Sequence, residues 1–135
     1  MPLVVDSSVA ISWVIADEDS TLARQALAMV YAEDMIAPRI FWYEFRNTLI
    51  VNERRGRIRE DETAQAIAVI EALDPVLFND HDDRKIVRLA RRHGLSVYDA
   101  AYLELAARKN EALVTLDRKL ETAALQEGVT VLQVS

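Results

Sequence analysis

The chain has 135 residues, 51% of them hydrophobic and 28% charged, with 16 basic against 22 acidic side chains, a formal net charge of −6 and no cysteine. This suits one folded domain over residues 1–135 rather than a disordered chain. The lack of cysteine excludes disulfides, thiolate metal sites and cysteine nucleophiles, and fits a cytoplasmic protein. No run reaches the ~18 apolar residues of a membrane span. The apolar start has no basic leader and is interrupted by Asp6, so a signal peptide is not expected.

Leu3 to Val5 reads as a short buried strand ending at Asp6, with Ser7 and Ser8 placed to cap the helix that follows. Ser20 caps a second helix, TLARQALAMVYAE. Met35 to Ala37 is a second strand, stopped by Pro38. A long helix runs from about Arg39 to Arg55, with Gly56 at its stop. Asp61 opens ETAQAIAVIEAL, Asp74-Pro75 breaks it, and Val76 to Phe78 is a third strand. The helix DDRKIVRLARRH ends at Gly94, and Ser96 to Asp99 begins AAYLELAARK. ALVTL is a fourth strand ending at Asp117, RKLETAALQE a helix stopped by Gly128, and VTVLQV a fifth strand. Continuous apolar strands alternating with helices imply an α/β fold with a parallel sheet covered on both faces.

Charge is unevenly placed. Arg24 is the only basic residue in positions 1–38, whereas 46–59 hold Arg46, Arg54, Arg55, Arg57 and Arg59, and 84–92 hold Arg84, Lys85, Arg88, Arg91 and Arg92. Two basic segments in an acidic chain either form an anion-binding face or are solvated helix surfaces.

Ligand sites of open α/β sheets lie beyond the carboxyl ends of the strands. Asp6 and Asp117 end strands there, Glu44 follows the second strand within two helical turns, and Asp99 opens the helix before the fourth strand. Asp6 and Asp117 read equally well as helix caps. Glu44 stands in IFWYEFRNTLIV and Asp99 in LSVYDAAYLELAA, where an unpartnered carboxylate is costly to bury unless it faces solvent. Clustered carboxylates raise one another's pKa, and a divalent cation reverses that penalty. Hard oxygen donors without cysteine favour Mg²⁺ or Mn²⁺, which suits phosphodiester hydrolysis. A haloacid-dehalogenase-type phosphatase requires a second Asp where Ser8 stands, and three glycines cannot build a phosphate-cradling loop. His81 and His93 are too isolated for a triad or a zinc site.

VVDSSV, YEFRNTL, LSVYDAAYLELA and LVTLDRKL, in this order and spacing, resemble the PIN-domain ribonucleases and, within them, the VapC-type toxins of bacterial toxin–antitoxin pairs. The resemblance implies a three-layer α/β/α sandwich with a parallel five-stranded sheet of order 3-2-1-4-5. It implies Mg²⁺-dependent (Mn²⁺ as a substitute) endonucleolytic cleavage of RNA by a metal-holding catalytic quartet, here Asp6, Glu44, Asp99 and Asp117. Ser8, Asn47 and Thr115 fall on polar positions near the metal, Asn47 one helical turn from Glu44. Where some relatives carry a further acidic residue beside the last Asp, this chain has Arg118 and Lys119, which leaves one or two metals open. A homodimer and a cognate antitoxin are also implied, with Ile11, Trp13, Val14, Phe41, Trp42 and Tyr43 as candidate groove residues. Arg54, Arg55, Arg57 and Arg59 are the expected phosphate contacts, since helical rise puts Arg54 roughly 15 Å from Glu44. The alternative is a non-catalytic regulatory domain that keeps its carboxylates for a basic peptide, with a receiver-like phosphate acceptor as a third reading.

Overall fold

The computed structural model describes residues 1–15 and 20–134. In chain order they form β1 (Leu3–Val5), α1 (Ser7–Val14), α2 (Thr21–Ala32), β2 (Met35–Pro38), α3 (Ile40–Arg54), α4 (Glu60–Leu73), β3 (Val76–Phe78), α5 (Asp83–His93), α6 (Val97–Lys109), β4 (Ala112–Val114) and α7 (Arg118–Gln126). The expected alternation of strand and helix is present, with boundaries shifted by one or two residues.

The described strands form one parallel sheet of order β3-β2-β1-β4. Leu3 lies opposite Met35 on one side and Ala112 on the other, and Val5 lies opposite Val114. β1 is therefore an inner strand. Leu3, Val4 and Val5 have no exposed surface, which is why this segment is apolar at every position rather than at alternate ones. Burying each such side chain contributes about 1.5–3 kcal/mol. α6 packs on β1, β2 and β4 and also against α5 and α7. Its Tyr102, Leu103 and Leu105 join Phe41, Phe45 and Leu49 of α3 in the buried core.

The expected fifth strand is a correction. Residues 129–134 lie beside β4, as order 3-2-1-4-5 requires, but pair with it only through a parallel bridge between Leu113 and Val131. Leu113 N donates to Thr130 O and Leu132 N to Leu113 O, both at 2.9 Å. β4 is three residues long, and Val129 N is still bound to Ala124 O at the end of α7. Little edge remains for a ladder, so the segment stays a bridge.

Helix ends follow the local chemistry. Ser20 accepts from Ala23 N, Asp82 from Lys85 N and Ser96 from Asp99 N, as caps should. At α1 the N-cap is Asp6, one of the two positions read as caps, rather than Ser7 or Ser8, but the Asp6 side chain makes no capping bond. Gly94 closes α5 at φ +64°, the left-handed conformation for which glycine is the cheapest residue. No described helix is long and apolar enough to cross a membrane.

Candidate active site

Because β1 is an inner strand, Asp6 leaves the sheet at the middle of its carboxyl edge, with α1 on one side and the end of β4 on the other. Asp6 N donates to Val114 O, fixing the backbone there. The carboxylate is only 4% exposed. Two hydroxyls meet at its Oδ2: Ser8 Oγ at 2.9 Å and Thr115 Oγ1 at 2.6 Å. Each hydroxyl is itself held by backbone, Ser8 Oγ accepting from Leu116 N and Thr115 Oγ1 from Asp117 N. This small lattice ties the end of β1 to the turn after β4. Burial raises the Asp6 pKa above the ordinary carboxylate value and the Asp117 charge adds to it, while Thr115, Ser8 and the Ser7 backbone oppose the shift.

Glu44 lies one turn into α3. Its Oε1 accepts from Tyr102 Oη at 2.7 Å and, at the long distance of 3.5 Å, from Ser7 Oγ. Burial raises its pKa first, the Asp6 and Asp99 charges raise it further, and the Tyr102 and Ser7 hydroxyls pull it down. Asp99 stands in the first turn of α6. Burial raises its pKa as well, followed by the charges of Asp6 and Asp117, with Ser96 opposing. Asp117 is exposed and caps α7, its Oδ1 accepting from Lys119 N at 2.9 Å and Leu120 N at 3.1 Å. Its capping role and its place in the cluster therefore coexist.

The structure thus brings Asp6, Glu44, Asp99 and Asp117 into one electrostatically coupled group, with Ser8 and Thr115 on Asp6. Asn47 is exposed and makes no hydrogen bond to the group among the described residues. Arg59 is taken up by Asp61 at 3.0 Å, while Arg54, Arg55 and Arg57 are exposed at the far end of α3. Of the candidate groove residues, Ile11 and Phe41 belong to the core and Trp13 donates to Ala23 O, whereas Trp42 and Tyr43 are exposed and meet edge to face.

Tyr102 and Ser7 were not apparent from the sequence as site residues. Tyr102 is fully buried, and its own ionisation is pushed well above the usual phenol value by burial and by Glu44. The available clue is its position three residues after Asp99, on the same helix face. Glu104, also buried, serves the scaffold: it accepts from Arg108 at 2.7 Å and from Asp82 N, joining α6 to the start of α5.

Among the described residues no three His, Cys, Asp or Glu side chains stand close enough together to hold a metal ion as they are placed. The donor set nonetheless suits a hard divalent cation: oxygen only, and too costly to ionise together without a counter-charge. On Glu44 the two hydroxyl contacts fall on Oε1, and on Asp117 both capping bonds fall on Oδ1, leaving the second oxygen of each outside those bonds.

A central aspartate on a parallel sheet, joined by carboxylates from the flanking helices, is the arrangement of a known family. The family model "PIN domain" matches residues 3–125, and the chain belongs to that family. It is homologous to a VapC ribonuclease: it is 34% identical over 124 residues to Ribonuclease VapC3 of Pyrobaculum aerophilum, covering 89% of this chain and 92% of that protein. The crystal structure of PAE2754 from Pyrobaculum aerophilum matches with a TM-score of 0.74 at 21% identity, covering 97% of this chain and 89% of that one. FitAcB from Neisseria gonorrhoeae matches at 0.67 and 17% identity, covering 97% and 96%. VapBC2 from Rickettsia felis, bound to a DNA fragment from their promoter, matches at 0.69 and 11%, covering 98% of each chain. These solved structures share the fold.

Proposed function

We propose that this protein is a divalent-metal-dependent endoribonuclease acting as the toxin of a type II toxin–antitoxin pair. The observation that carries the proposal is the coupled carboxylate group at the carboxyl edge. Three carboxyls with raised pKa values, next to a fourth acidic side chain, disfavour the ionised state that a cation would stabilise. Homology to a ribonuclease over 89% of the chain supports the reaction class. Asp6, Glu44, Asp99 and Asp117 would hold Mg²⁺ or Mn²⁺. The bound cation supplies a water of lowered pKa and shields the phosphate charge.

The chain's own residues do the positioning. Ser8 and Thr115 hold Asp6 by one oxygen, Tyr102 and Ser7 do the same for Glu44, and the α7 backbone does so for Asp117. Such fixed partners keep each carboxylate in place through turnover. Asp99 stands in the first turn of α6, near the Asp6 and Asp117 charges. The proposal extends to a homodimer and a cognate antitoxin. The 34% identity to Ribonuclease VapC3 supports this extension, and the exposed Trp42 and Tyr43 offer a protein partner an apolar surface.

The test is incubation of purified protein with RNA in Mg²⁺ or in EDTA, with the cleavage ends sequenced. Internal cuts in Mg²⁺ and none in EDTA are expected. Asp6→Asn, Glu44→Gln, Asp99→Asn and Asp117→Asn should each lose more than the roughly 10–100-fold that removing a partner behind a metal ligand costs. Intact RNA with the parent in Mg²⁺ refutes the nuclease reading.

A further inference from the structure

The outer face of α5 carries an arrangement that helix formation alone does not favour. Arg84, Arg88, Arg91 and Arg92 are all exposed and follow one another at helical spacing. Arg84–Arg88 and Arg88–Arg92 are like-charge pairs at i,i+4, which destabilise a helix. Arg91 and Arg92 suit the last turn, where the macrodipole favours cations. Arg84, in the first turn, sits where it disfavours them. Arg92 comes within 3.6 Å of Glu127, but Arg84, Arg88 and Arg91 have no ion pair among the described residues.

The face continues toward the carboxylates. Arg92 and His93 share a shallow hollow with Arg118 and Lys119 of α7. Lys119 reaches back to the end of α5, its Nζ lying 3.4 Å from where a Cβ on Gly94 would stand. Arg118 and Lys119 directly follow Asp117, and neither has an ion pair among the described residues. The positive strip therefore begins beside the candidate site and runs along α5 for about 12 Å from Arg92 to Arg84, by helical rise. Acidic neighbours are fewer here than at the end of α3: Asp83 stands beside Arg84 and Glu127 near Arg92 and Arg88, whereas after α3 the next helix opens with Glu60, Asp61 and Glu62 and Arg59 is already bound to Asp61.

We infer that Arg84, Arg88, Arg91, Arg92, Arg118 and Lys119 form a phosphate track that leads single-stranded RNA into the carboxylate site. The inference rests on the nuclease reading for its substrate class. A polyanion neutralises the like-charge column on α5 and offsets repulsion from the acidic centre, which accounts for so dense a positive face on a chain of net charge −6.

The experiment measures binding of a short fluorescein-labelled single-stranded RNA by anisotropy across a salt series. EDTA is present so that no divalent cation is available. Arg84, Arg88, Arg91 and Arg92 are changed together to Gln, and separately to Lys. A second set changes Arg54, Arg55, Arg57 and Arg59 to Gln. Loss of four phosphate contacts should lower the slope of log K against log salt by about 3. The Lys set should keep most of the slope, which separates charge from damage to the helix. A slope equal to the parent's in the α5 Gln set overturns the track, whatever the α3 set does. Cleavage in Mg²⁺ is scored apart. A parent that binds steeply but leaves RNA intact refutes the nuclease reading and not the track. A parent that cleaves while the α5 Gln set binds unchanged refutes the track alone.

Discussion

Replacing Tyr102 with Phe removes one hydroxyl and keeps the ring. The side chain is fully buried, so ring packing is retained and the change in volume is small. What is lost is the 2.7 Å hydrogen bond to Glu44 Oε1, which leaves that oxygen with the 3.5 Å contact from Ser7. A hydrogen bond to a charged group contributes about 1.5–3 kcal/mol. Glu44 is only half-buried and water can replace part of the bond, so about 1–2 kcal/mol is expected at neutral pH. Burial has already raised the Glu44 pKa, and the Tyr102 hydroxyl holds it down. Removing the hydroxyl raises it further. Below the ordinary carboxylate range Glu44 is protonated in both proteins and the deficit shrinks; above the raised folded pKa it is complete. Urea unfolding of parent and Tyr102→Phe in EDTA, at neutral and at acidic pH, measures this. An equal deficit at both pH values, or none at neutral pH, would show that the hydroxyl does not support ionised Glu44.

A cation that binds only the native cluster should stabilise it by mass action. Mg²⁺ at about 100 times its Kd is worth about 2.7 kcal/mol, seen as a higher Tm, and Asp6→Asn should lose most of that increment. In EDTA the folded pKa values of Asp6, Glu44 and Asp99 lie above their ordinary values. Their neutral forms therefore contribute stability that is full at low pH and is lost as pH rises through those raised values. Asp6→Asn, which cannot ionise there, should show a smaller fall in urea midpoint across that window, and an identical fall would count against the coupling. Leu113→Ala empties a fully buried position where β4 meets both β1 and the 129–134 segment, and should cost about 2–5 kcal/mol by denaturant titration.

The inner strands were legible because burial on both faces leaves runs such as LVV without a polar position. The segment at 129–134 keeps four apolar residues beside Thr130 and Gln133, yet it lies at the outside of β4, where pairing depends on the length of its neighbour, a quantity that composition does not encode. The placement of Asp6 at a strand end could be read from where the apolar run stops; Asp117 was read the same way, but β4 ends at Val114 and Asp117 stands past the turn as the cap of α7. Glu44 stood out as a carboxylate in an apolar helix. Its partner did not, because Tyr102 at a core-facing position looks like packing until α3 and α6 are brought together. Similarly, Ser7 and Ser8 resembled helix caps, whereas Ser8 donates to Asp6 across the turn. The direction of the α5 basic face was likewise out of reach, because it depends on which side of the helix the buried Ile86 and Leu89 turn toward the rest of the chain.

The Asp117 carboxylate closes the first turn of α7 through Oδ1 while lying among the acidic side chains of the edge. On the nuclease reading, chemistry and architecture would be carried by one residue, and its replacements are not equivalent. Asn caps a helix about as well as Asp, whereas Ala at such a position costs about 0.5–2 kcal/mol. The same asymmetry guides the test of that reading: Asp117→Asn removes the charge and keeps the helix, whereas Asp117→Ala confounds the lost charge with a frayed α7.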